Sequence, residues 1–142
     1  MMDIEALIPH RNRMKLLDDV IVANEESAVT SARVSHRWPL CQGDYVDPIA
    51  LIEIVAQTAA VFISCKKGIN TRGSRRGWIV GIKNADFFVD RIPLETVLIT
   101  TVKDLYHLDQ YSVLDGEVTA AAKTLCRVQI QVFREIDEEK IL

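Results

Sequence analysis

Between residues 49 and 65 apolar side chains fall on every side of a helical projection: Ile49, Leu51, Ile52, Ile54, Val55, Ala59, Ala60, Val61, Phe62, Ile63 and Cys65. A helix of that kind has to be enclosed by other elements, because it offers water no polar face. Its start is marked by Asp47 at the N-cap position and Pro48 at the first helical position. There a proline's fixed φ is preorganised and its missing N–H costs nothing. The pattern predicts a helix from Pro48 to about Lys67, stopped at Gly68, with Lys66 and Lys67 complementing the macrodipole in its last turn.

The rest of the chain reads as strands. "MKLLDDVIVAN" (14–24) and "SAVTSARVS" (27–35) are β-rich runs separated by "EE", a hairpin pattern. After the helix come "GWIVGIKNADFFV" (77–89), "TVLITTVKDLYHL" (96–108), "YSVLDGEVTA" (111–120) and "LCRVQIQVF" (125–133). The last alternates, with Leu125, Arg127, Gln129, Gln131 and Phe133 on one face and Cys126, Val128, Ile130 and Val132 on the other. The dipeptide at Asp115–Gly116 fits either a bulge or a turn. "DIEALIPHR" predicts a short helical turn stopped at Pro9. About six consecutive strands with no helix between most of them imply an antiparallel sheet, hence an α+β fold in which a curved sheet wraps a helix of about 20 residues, near 30 Å long.

Length and composition narrow the picture. The 142 residues carry no repeat, low-complexity tract or linker, so residues 1–142 read as a single domain with enough chain to bury about two thirds of its unfolded surface. With 49% hydrophobic and 26% charged residues, the chain is expected to be soluble and globular. No uncharged apolar run reaches the roughly 20 residues of a membrane span, and the start lacks the basic-then-apolar order of a secretory signal. Cys41, Cys65 and Cys126 are odd in number and widely spaced, which argues against a disulfide framework or a CxxC metal site and for a reducing cytoplasm. A net charge of −3 is too mild to suggest a nucleic-acid partner, and none is expected, but the charge is unevenly distributed. Residues 66–76, "KKGINTRGSRR", hold five cations and no acid, leaving −8 on the remainder (−3 less +5). A basic loop on an acidic body suits an anionic ligand or partner, or is simply a solvated loop.

Four segments, in order, resemble the 3-hydroxyacyl-acyl-carrier-protein dehydratases of the hotdog fold. "LIPHRNRMKLLDDV" (7–20) is similar to that family's opening "LLPHR" segment, and "VSHRWPLCQGDY" (34–45) to the strand and turn ending in "QGHFPG". "LIEIVAQTAAV" (51–61) resembles the central-helix "IIEALAQ", and "GIKNADFFVDRIPLETVLITTV" (81–102) the strand pair that follows. The resemblance implies a sheet wrapped round a long helix and dimers whose sheets join edge to edge. It also implies removal of water from a 3-hydroxyacyl thioester carried on phosphopantetheine of an acyl carrier protein or on CoA. No cofactor or metal of the protein's own is implied. In the family a histidine of the "QGH" turn takes the proton next to the carbonyl, and a carboxylic acid on the partner's central helix assists departure of the hydroxyl. Backbone N–H groups near a helix N-terminus polarise the carbonyl, where enolate-like charge develops.

Carried over residue by residue, Glu53 takes the place of the helical acid and Gln57 that of the glutamine after it. Four residues apart, they share a helix face, with Ser64 near the same stripe. An ionisable group on an apolar helix is costly unless paired, which marks Glu53 for chemistry or for local hydrogen bonding. The base does not carry over: Asp44 stands where the family has histidine, and the stretch to the helix is shortened, without the family's "NPIMPG". Asp44 could itself be the base, making a two-carboxylate site with Glu53. His36, in "VSHRWP", is the next choice, while His10 looks structural and His107 lacks context. A histidine from a homologous chain in a mixed dimer is the third route. Gly43 and Gln57 fall on the substrate side of this site, and Arg72, Arg75 and Arg76 would hold the phosphopantetheine phosphate or the carrier's acidic face. Two rival functions share the fold: thioester hydrolysis, with Glu53 or Asp44 activating water, and a non-catalytic acyl-binding or partner subunit.

Overall fold

A computed structural model describes residues 3–8, 14–66 and 77–134. The chain opens with a one-turn helix α1 (Ile4–Leu7), capped by Asp3, whose carboxylate accepts the Glu5 N–H at 3.1 Å. Strands β1 (Asp19–Ala23) and β2 (Ser27–Arg33) form the expected hairpin. Its turn is organised by Asn24 rather than by the glutamates: the Asn24 side-chain oxygen accepts the N–H groups of Glu26 and Ser27 at 2.7 and 3.0 Å. Two short strands follow, β3 (Cys41–Gln42) and β4 (Tyr45–Val46), and then the long helix α2 (Ala50–Lys66). The remaining strands are β5 (Gly77–Phe87), β6 (Ile92–Pro93), β7 (Val97–Leu108), β8 (Tyr111–Ala120) and β9 (Lys123–Arg134).

Six strands make one antiparallel sheet in the order β1-β2-β7-β8-β9-β5, and β3, β4 and β6 make a small second one. The helix lies against the large sheet, touching β7, β2 and β8 most extensively. Side chains that alternate onto that face close the core: Ala28 and Ala32 from β2, Leu98 and Val102 from β7, Leu114 and Val118 from β8, and Cys126, Val128, Ile130 and Val132 from β9. The helix meets them with Leu51, Ile54, Val55, Ala59 and Phe62, all fully buried. Two threonines pair in this layer: Thr58 donates to the Ile54 carbonyl at 2.9 Å, which leaves its oxygen to accept from Thr30 at 2.8 Å, whereas the buried Ser112 hydroxyl on β8 has no hydrogen-bond partner among the described residues.

Three local expectations change. The helix begins at Ala50, two residues later than its apolar pattern and proline place it. Asp47 still caps it, through Ile49 N–H at 2.9 Å, but the first turn is tight, with Ala50 bonding to Asp47 and Leu51 to Pro48. At 17 residues it is about 25 Å long, and Gly68, its expected stop, lies outside the described residues. Asp115–Gly116 is neither bulge nor turn but the middle of β8, where Gly116 pairs with both Val102 and Val128. A Cβ there would sit 2.5 Å from Val55 Cγ1, so the glycine is what lets α2 approach the sheet. The irregularity near it belongs to β7, where Leu105 is the extra residue between the Asp104–Leu114 and Tyr106–Val113 pairs.

Candidate active site

Glu53 lies in the first turn of α2, partly buried. One turn on, the Gln57 side chain is fully buried. Its Nε2 donates to the Met14 carbonyl at 2.6 Å and to Glu53 Oε2 at 3.1 Å, while its Oε1 accepts the Leu16 N–H at 2.9 Å. A backbone donor on one side and a backbone acceptor on the other fix which way the amide faces. Further along the helix Ser64 Oγ donates to the Leu7 carbonyl at 2.9 Å. The N-terminal segment is therefore pinned along α2 at two levels, and Leu16 and Leu17 enter the core beside the lower one.

Gly43 and Asp44 form the two-residue turn between β3 and β4, closed by the Gln42–Tyr45 pair. Gly43 has φ +67°, the conformation of the first position in a type II′ turn, which only glycine adopts without strain. Sequence reasoning did not reveal how firmly this turn is held. The Tyr45 hydroxyl donates to Gln42 at 3.1 Å, the Arg91 guanidinium stacks 4.2 Å from the Tyr45 ring centroid, and Leu94 N–H donates to the Asp44 carbonyl at 3.1 Å. β6 pairs with β4 directly beneath. No motif around "DRIPLE" announces that role; only the pairing of β6 with β4 brings Arg91 to Tyr45.

The Asp44 side chain is exposed at the tip of this hairpin. His36 is exposed too, in a turn after β2 rather than on the strand, where Ser35 accepts the Arg37 N–H at 3.0 Å. Among the described residues no hydrogen bond or ion pair joins either of them to Glu53. His107 is exposed near the end of β7. His10, Arg72, Arg75 and Arg76 lie outside the described residues. Among those that are described, no cluster of His, Cys, Asp and Glu is arranged to hold a metal, and no helix is long and apolar enough to cross a membrane.

A six-stranded antiparallel sheet curved round one long apolar helix is the hotdog fold, and here its helix carries a carboxylate held by an amide one turn later. The sequence pattern of the ApeP-like family, ApeP dehydratase, matches residues 2–142, and the chain belongs to that family of hotdog dehydratases. It is 24% identical over 136 residues to the 3-hydroxyacyl-[acyl-carrier-protein] dehydratase FabZ of Solibacter usitatus (strain Ellin6076), covering 89% of this chain and 83% of that one. Among solved structures it is similar to the dehydratase heterocomplex ApeI:P from Xenorhabdus doucetiae, with a TM-score of 0.79 at 18% identity over 99% of this chain and 96% of that one. A hypothetical thioesterase protein with coenzyme A from Streptococcus pneumoniae TIGR4 shares the fold at a TM-score of 0.67 and 14% identity, over 84% and 86% of the two chains.

Proposed function

We propose that this chain supplies the acid of a dehydratase acting on 3-hydroxyacyl thioesters carried on phosphopantetheine, and that it works beside a homologous, histidine-bearing subunit. The observation that carries the reading is Glu53, a partly buried carboxylate on an enclosed helix, oriented by Gln57. As an acid it gives its proton to the departing 3-hydroxyl, while a base removes the proton next to the thioester carbonyl. The C2–H and C3–O bonds break, a C2–C3 double bond forms and water leaves. Membership of the ApeP-like family and similarity to FabZ, a dehydratase of acyl-carrier-protein substrates by name, support this reaction class and a place in fatty-acid or related lipid synthesis.

The base is where this chain departs from its relatives. Asp44 replaces the expected histidine and, like His36, is exposed and unlinked to Glu53 among the described residues. Similarity to a protein described as a dehydratase heterocomplex supports a base donated by a second, homologous chain. The substrate arrives on an acyl carrier protein or CoA in the cytoplasm, and no cofactor of the protein's own takes part. Gly43 lies on the substrate side of the site, and Arg72, Arg75 and Arg76 are our choice for the phosphate or the carrier's acidic face. A second reading, thioester hydrolysis with Glu53 activating water, is favoured by the thioesterase similarity.

Purified chain, alone and mixed with a histidine-bearing homologue, should be given 3-hydroxyacyl and plain acyl thioesters. The proposal expects conjugated enoyl product only when the homologue is present, and no release of free thiol. Thiol from the plain substrate would turn the reading to hydrolysis. Enoyl product from the chain alone would return the base to this chain, with Asp44 the first residue to replace.

A further inference from the structure

Gln57 is 0% exposed, and its amide has no unused N–H: one goes to the Met14 carbonyl and the other to Glu53 Oε2. Its oxygen accepts from Leu16, whose neighbour Leu17 is also locked in the core. An amide gripped from both sides by backbone has one orientation available, and in that orientation its remaining hydrogen points along the helix at Glu53. A side chain so engaged cannot reach a substrate without giving up a buried hydrogen bond.

We propose that Gln57 is a positioning residue: it transmits the rigid seat of the Met14–Leu16 segment to the Glu53 carboxylate, holding that group in one rotamer rather than touching substrate itself. The idea rests on the reading of Glu53 as the acid. The N-terminal segment thereby becomes the backing wall of the site, and its docking to α2 a condition for a well-aimed Glu53. The chemistry of the position is specific. Glutamate at 57 would keep an acceptor for Leu16 N–H but set a carboxylate oxygen against the Met14 carbonyl and a second charge against Glu53. Methionine would keep the length and lose all three bonds.

The test uses the full chain in the assembly that turns over. In Gln57→Met, kcat should fall about ten- to a hundredfold, the range an ångström-scale misplacement causes, with KM within about twofold of wild type. Gln57→Glu should show the same split, which guards against a fold-specific defect of the methionine variant. Independently of turnover, the Gln57 side-chain amide resonances should shift in Glu53→Gln, because their acceptor changes from carboxylate to amide. A rise in KM with kcat intact would place Gln57 against substrate and overturn the proposal. So would unchanged kinetics in both variants, or amide resonances indifferent to Glu53→Gln. Full turnover in Glu53→Gln with those resonances shifted would instead sink the acid role alone.

Discussion

Burial pushes the Cys126 thiol from 9.0 up to about 12, only partly offset by a hydrogen bond at the Val118 backbone. A rise of that size cuts the thiolate present at neutral pH by about a thousandfold. Cys41 and Cys65 are half-buried, so a thiol reagent should consume both long before Cys126, which should react only as the protein unfolds. Quantitative thiol titration of the native protein checks this; three equivalents reacting at one rate would contradict it. Because the folded pKa lies above the unfolded one, the neutral thiol stabilises the fold below about pH 9 and this contribution is lost as pH rises toward 12. At this scale the sequence was readable where one face is buried. Along residues 125–133 the alternation separates buried Cys126, Val128, Ile130 and Val132 from exposed Arg127 and Phe133, but Leu125, on the face of Arg127 and Phe133, is buried as well. Glu53 and Gln57 were readable as a pair through the resemblance of "LIEIVAQ" to the family's helix motif, but not the clamp on Met14 and Leu16, since a partner more than forty residues away leaves no local signal.

The long strands follow their β-rich runs, although the run 14–24 is strand only over Asp19–Ala23, and the other exceptions have causes outside the local pattern. β8 and β9 are joined by Ala121 and Ala122, both with positive φ, 50° and 67°. Two such residues make a type I′ hairpin turn, normally Asn-Gly, and an L residue there is strained by about 1 kcal/mol or more. "AAAK" carries no turn signal, so that hairpin could be placed only by the ends of the flanking strands. Replacing Ala121 and Ala122 by Asn and Gly should stabilise the protein by about 1–2 kcal/mol, read from urea midpoints at constant m-value. Gly116 makes the opposite case. Its reason is Val55 on the helix, invisible from "LDGEV" alone. Gly116→Ala should destabilise by about 1–3 kcal/mol through overpacking. Combining it with Val55→Ala should cost less than the sum of the two single changes; strict additivity would show that the two positions do not compete for space.

At the scale of the molecule, one apolar helix and a run of strands were enough to give the α+β class and the wrapped sheet. The wrapping followed because a helix without a polar face has no other stable environment; the strand order, with β9 between β8 and β5, was not legible in the sequence. What one sequence cannot carry is a group contributed by another chain. That is why Asp44, His36 and a partner's histidine remained open as bases. The sheet ends in two edges, β1 and β5, each of which leaves backbone groups unpaired by a neighbouring strand. The most direct measurement is dehydration of a 3-hydroxyacyl thioester by this chain mixed with a histidine-bearing homologue, comparing Glu53 with Glu53→Gln while light scattering monitors the complex. We predict loss of enoyl formation by at least about a hundredfold with the complex still assembled. Undiminished product from the Glu53→Gln complex would contradict the assignment of the acid to this chain.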